Sequence, residues 1–222
     1  MSTKSALDLK ILIPAMLDSV KHLETIYGTV FSKMVAKFAT QFEAKKLNDP
    51  SPPAVENLRD CTDYIMGNLE RYSDGFCAIV YGSCKAEKTL QGGIGSGGRT
   101  STRQGMSEIN LKTGAASAYN KSTDTTQVCK AQLDLASKMH IMVGETQVTG
   151  DENSATVTYQ NCRFTDACNA IHEEGILRVG GGLECTNARA GMSSIELATK
   201  SMHDFEVIEF KPPKCTFRIY KV

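Results

Sequence analysis

The chain has 222 residues, with 25 Lys+Arg set against 25 Asp+Glu, so its formal net charge is zero. An apolar fraction of 41% and a charged fraction of 23% suit a soluble globular protein and exclude intrinsic disorder. No basic excess marks a nucleic-acid binder, no apolar run approaches the roughly 18 residues of a membrane span, and no signal peptide opens the chain, so a cytoplasmic protein is expected.

The first element reads as one long helix. Met16, Val20, Leu23, Tyr27, Val30, Met34, Phe38 and Phe42 recur at steps of three and four and lay an apolar stripe along one face. Pro14 suits its first turn, and Asn48-Asp49-Pro50-Ser51-Pro52-Pro53 ends it. Such a stripe exceeds what a small domain buries, which predicts a homodimer built on this helix. A second helix is expected over 54–72. Phe76-Cys77-Ala78-Ile79-Val80-Tyr81 reads as a buried strand.

A glycine-dense stretch follows, with G-x-G-x-x-G at Gly93, Gly95 and Gly98, flanked by Arg99 and Arg103. A phosphate cradle needs a strand ending directly at the glycines. Ten residues separate Tyr81 from Gly92, so a close-packing loop is the competing reading. Residues 112–130 are rich in Ser, Thr and Ala and read as a connection.

From Ala131 the pattern sharpens. Leu133 to Met139 closes a helix, and residues 140–148 and 155–159 form a hairpin around Gly150-Asp151-Glu152-Asn153. Thr165 caps a short helix over 166–174, which ends at Gly175. Gly180-Gly181-Gly182 leads to Cys185 and a helix over 189–199, and residues 205–210 and 215–220 make a closing hairpin. Residues 103–113 echo residues 189–199, and both follow a glycine-rich loop.

Eight cysteines stand in the chain, and none forms a C-x-x-C pair. In a cytoplasmic chain they are buried thiols, metal ligands or redox groups. Cys162, Cys168, Cys185 and Cys215 sit at the ends of successive C-terminal elements, with His172, Glu173 and Glu174 close after Cys168. Zinc wants four such ligands held tetrahedrally, and free buried thiols are the other reading. His22, His140, His172 and His203 are read as surface or capping residues.

Tyr159-Gln-Asn-Cys162, Asp166-Ala-Cys168, residues 185–194 and Pro213-Lys-Cys215-Thr-Phe-Arg-Ile219 together resemble the vinyl-reductase-like, or hydrocarbon-binding, domain. The likeness covers residues 131–222. It departs from the family at Phe210 and Lys211, where a second cysteine often stands. The resemblance implies an α+β fold, with long N-terminal helices packed on an antiparallel sheet with C-terminal helices. It divides the chain into 1–130 and 131–222, or leaves one continuous domain. It implies a small apolar or aromatic ligand near Met139, Met142, Met192, Ile195 and Phe217. It also implies zinc at Cys168, Cys185 and Cys215, completed by Glu173, Glu174 or Cys162.

The function expected is therefore a small-molecule sensor or accessory protein. An assembly protein using the helix stripe and glycine loops is the alternative, and an accessory component of a tetrapyrrole or other reductase is the third. No carboxylate pair, catalytic triad or complete nucleotide motif points to an enzyme.

Overall fold

The computed structural model describes residues 6–114, 122–138 and 145–222, with side chains described from residue 12 onward and not at residue 113. The architecture is α+β. In chain order it runs α1 (Ala6–Tyr27), α2 (Thr29–Leu47), α3 (Leu58–Gly67), α4 (Phe76–Gln91), α5 (Ser96–Thr113), α6 (Thr125–Lys138), β1 (Thr146–Gly150), β2 (Ser154–Gln160), α7 (Thr165–Glu173), α8 (Thr186–Thr199), β3 (His203–Lys211) and β4 (Lys214–Lys221). Among the described residues no helix is long and apolar enough to cross a membrane.

Two compact units interleave along the chain rather than dividing at residue 130. Unit 1 gathers residues 1–15, 102–165 and 185–222, and unit 2 gathers residues 16–101 and 166–184.

Unit 1 is built on a four-stranded antiparallel sheet of order β1-β2-β4-β3, so the two expected hairpins do share one sheet. The strands alternate as half-buried strands must. Ala155, Val157 and Tyr159 of β2 point inward with Cys215, Phe217 and Ile219 of β4 and Phe205 of β3. Register places Val157 opposite Phe217 and Tyr159 opposite Cys215. A bulge between Val207 and Glu209 breaks the β3–β4 register. The helices α6 and α8 pack on the sheet and on each other. The first half of helix α6 lies where the sequence reads as a connection, and its second half coincides with the helix expected from Leu133. Asp124 caps it by accepting the Gln127 amide at 2.9 Å, and Val128, Cys129, Leu133 and Ala136 form its buried face. Ser/Thr-rich composition conceals that spacing.

Unit 2 is helical, and α2 packs on both α3 and α4. The expected single N-terminal helix is two helices, because Gly28 adopts φ 81° between them. Pro14 lies inside α1 rather than in its first turn. The break shifts the stripe: α2 buries Phe31, Val35, Ala39 and Phe42, while Val30 is exposed. The packing of α2 within unit 2 covers part of the stripe on which the homodimer expectation rests.

The expected strand at 76–81 is the first half of α4. Residues Phe76 to Gly82 are all buried, so the run is apolar because the helix is covered all round. A short continuous apolar run reads the same for a buried strand and a buried helix. Small residues let α4 lie against α2. A Cβ added at Gly82 would stand 2.7 Å from the Val35 carbonyl oxygen and 3.0 Å from the Ala39 nitrogen.

Gly82→Ala is therefore expected to destabilise the protein by about 1–3 kcal/mol, although alanine is the better helix former by about 1 kcal/mol. Urea denaturation with an unchanged slope and a lower midpoint checks this. An unchanged or higher midpoint means that α2 and α4 do not approach so closely.

Candidate functional site

The residues expected at a ligand or metal site do not form one constellation. Met139 and Met142 lie outside the described residues. Met192, Ile195 and Phe217 are 2%, 0% and 1% exposed, packed in the core of unit 1. The expected zinc ligands divide between the units. Cys162, Cys185 and Cys215 belong to unit 1, and Cys168, Glu173 and Glu174 to unit 2, where both glutamates are exposed. Among the described residues no group of three or more His, Cys, Asp or Glu side chains is placed to hold a metal ion. Within the described residues the expected zinc ligands are thus not gathered into such a group.

What unit 1 does assemble is a set of thiols around a tyrosine. Tyr159 is buried, stacked on Phe217 with ring centroids 5.6 Å apart, and within electrostatic reach of Cys129, Cys162, Cys185 and Cys215. Three of these are candidates from sequence. The fourth, Cys129, lies on the helix that composition conceals. Burial holds the Tyr159 phenol well above its ordinary range and pushes the Cys129 and Cys162 thiols up to about 12. Such thiols stay protonated at neutral pH and are poor nucleophiles. The Asn187 amide donates to Cys162 Sγ at 3.0 Å and fixes the approach to α8.

Helix α8 is the centre of the unit. Its apolar side, Ala188, Met192 and Ile195, joins the sheet core. Much of its remaining surface is buried too, and much of that is polar: Asn187, Arg189, Ser193, Ser194 and Glu196 are all buried. The hydroxyls of Thr186, Ser193 and Ser194 are shielded from solvent and have no hydrogen-bond partner in the protein, and neither has Oε1 of Gln132 on α6. Gly191 brings α6 close, since a Cβ there would stand 3.4 Å from Gln132 Oε1. Unpaired buried hydroxyls each cost about 1–3 kcal/mol, so four unpaired polar atoms on one helix pair call for a reason.

The C-terminal end of α8 is well paired by contrast. Glu196 is paired with Arg103 of α5 and accepts the His203 backbone N–H at 2.9 Å. The His203 ring is 1% exposed, contrary to the surface role expected for it. Its Nδ1 lies 3.0 Å from the Ser201 carbonyl, which only accepts, so Nδ1 carries the proton. In the neutral ring Nε2 then accepts from Thr125 Oγ1, 3.0 Å away. A hydroxyl on an imidazole is the geometry of an activated nucleophile. Thr125 is likewise 1% exposed, so this pair ties α6 to β3 instead of meeting a substrate.

In unit 2 the glycine motif resolves as a packed loop. The buried Glu87 carboxylate accepts the Gly98 amide at 2.8 Å and the Gly95 amide at 3.3 Å. It occupies the place at the N-terminus of α5 that a phosphate would take in a cradle. The loop also pairs with the second glycine-rich segment. Ile94 N–H donates to the Leu177 carbonyl and Val179 N–H to the Ile94 carbonyl, each at 2.9 Å.

No family model matches this chain, and no curated protein does. Among solved structures it is similar to the Fe(II) unliganded H-NOX protein from K. algicida, at 13% identity and a TM-score of 0.42, over 94% of this chain and 95% of that one. An oxygen-binding H-NOX domain related to soluble guanylate cyclases aligns at 10% identity and a TM-score of 0.37, over 96% and 94%. A single-substitution mutant of the T. tengcongensis H-NOX protein aligns at 13% and 0.33, over 93% and 94%.

Glu196→Ala is expected to lower stability by about 2–4 kcal/mol, because it strands Arg103 and the His203 amide. Glu196→Gln keeps an acceptor for that amide and is expected to lose less than half as much. Thermal denaturation of the two variants checks the order; equal losses would mean that the charge, not the acceptor, carries the site.

Proposed function

We propose that this protein is a small-molecule-binding sensor or accessory domain whose ligand seats against the polar surface of α8. The observation that carries the reading is the unmet hydrogen-bonding capacity of Thr186, Ser193, Ser194 and Gln132, all shielded from solvent in unit 1. A ligand with an apolar body and one hydrogen-bonding group matches both the hydroxyls and the Met192–Ile195 side of the same helix. This keeps the apolar or aromatic ligand that the vinyl-reductase-like resemblance implies, and adds a polar handle to it.

Heme and its iron appear in the names of the H-NOX structures. Of the described histidines, His22 lies half-buried on α1, and the other two are engaged through their rings. His203 has both ring nitrogens engaged, and His172 Nε2 is engaged with the Glu184 carbonyl at 2.8 Å. His140 lies outside the described residues. No step is therefore derived through heme.

Phenol, indole and 1-octanol are suitable probes. At a hundred times its dissociation constant a bound probe stabilises the folded state by about 2.7 kcal/mol, a readily measured rise in melting temperature. Ser193→Ala is expected to raise the melting temperature of the free protein, by removing an unpaired hydroxyl, and to weaken the probe's effect. If none of the three shifts the melting temperature, the reading fails.

Self-association is the second reading, and a specific surface favours it. Leu177, Val179 and Leu183 are 38%, 66% and 37% exposed on the ribbon that pairs with the first glycine loop. Under this reading, sedimentation velocity shows a dimer that Val179→Glu converts to monomer; a monomer at high micromolar concentration removes it.

A further inference from the structure

Glu43 is a buried titratable group whose role the sections above leave open. It lies on α2, is 0% exposed, and neither carboxylate oxygen has a hydrogen-bond partner. The walls around it come from α2, α3 and the start of α4. Thr40 is one turn away on α2, Cys61 faces it from α3, and a Cβ added at Gly75 would stand 3.3 and 3.4 Å from its two oxygens and 2.8 Å from Ile65.

The titratable groups within electrostatic reach are Cys61 and Tyr64, both on α3 and both neutral near pH 7. Lys45 and Lys46 of α2 and Arg59, Asp60 and Asp63 of α3 are exposed to solvent, and Asp74 is half-buried just before α4. On α4, Lys85 pairs with Glu174, and Glu87 takes the glycine-loop amides. Among the described residues no cation offsets a charge on Glu43.

A hard metal cation does not suit the place. Calcium takes about six to eight oxygen ligands, and the Glu43 carboxylate with the Thr40 hydroxyl falls well short of that. The cation that fits a lone carboxylate in an apolar wall is a proton. The element best able to respond is α3, a helix of 10 residues that buries only Cys61 and Ile65.

We propose that Glu43 is a proton-binding site that governs the opening of α3: protonated, it holds α3 against α2, and ionised, it drives α3 into solvent. Burial raises the Glu43 carboxyl from 4.5 to about 7, so the closed form keeps a proton that the open form releases. The sign follows. Below pH 4.5 both forms are protonated and ionisation adds nothing. Between 4.5 and about 7 the opening constant rises about tenfold per pH unit, and above 7 it levels off. The full span is 7 − 4.5 = 2.5 units, or roughly 300-fold. This inference is independent of the α8 ligand reading, which concerns unit 1.

Hydrogen exchange by mass spectrometry on the full chain, from about pH 5 to about pH 8 and corrected for intrinsic rates, tests it. The α3 amides should open on the order of 10²-fold more at the upper pH than at the lower, while the amides of β2 and β4 stay level. Glu43→Gln should flatten the α3 profile, and Glu43→Leu should flatten it too should the first variant fold poorly. A flat wild-type profile, an unchanged slope in either variant, or a slope shared equally by β2 and β4 would overturn the proposal.

Discussion

Burying a carboxylate removes it from water at a cost of several kcal/mol unless something replaces the water. Three glutamates of this protein meet that constraint in different ways. Glu87 takes the first amides of α5 and so replaces a ligand with the chain's own charge. Glu196 takes an arginine and a strand amide and locks α8 to the start of β3. Glu43 takes neither, and stays buried at neutral pH by keeping its proton part of the time. The first two are rigid joints by that logic. The third is a joint whose strength depends on pH.

The contrast along α8 has the same origin. A helix covered on most sides has little solvent to satisfy polar side chains, so each must find a protein partner or await another. Glu196 finds two. Ser193 and Ser194, on the preceding turn, find none. The cysteines near the start of the helix avoid the difficulty by being small and weakly polar beside Tyr159, and burial keeps the Cys162 thiol protonated.

Chemistry-bearing residues are harder to read than elements. Cys162, Cys185 and Cys215 stand out in the sequence as residues at element ends, and the fold does gather them around Tyr159. Glu43 and Glu196 carry no signal of their own. A glutamate on a helix is nearly always solvated, and only its placement on the buried face distinguishes it. For Glu43 that clue exists: it follows Phe42 and falls on the stripe through Phe31, Val35 and Ala39, once the stripe is registered correctly. His203 is hidden for a similar reason, since a histidine near a helix end reads as a capping or surface residue.

Strand alternation and the turn residues around Gly150–Asn153 determined the two hairpins, because these signals act over a few residues, whereas their union into one sheet rests on the long-range β2–β4 pairing. The short helix ending at Gly175 was legible on the same ground, and the α+β class followed from the family resemblance. Only the tertiary structure decided whether 76–81 was strand or helix, since an element buried all round loses the periodicity that tells the two apart. It alone decided that Gly28 divides the first helix, that the two glycine loops pair, and that the expected zinc ligands belong to separate units. Each of those outcomes depends on which distant segment fills the space beside a residue, and spacing along the chain does not contain that information.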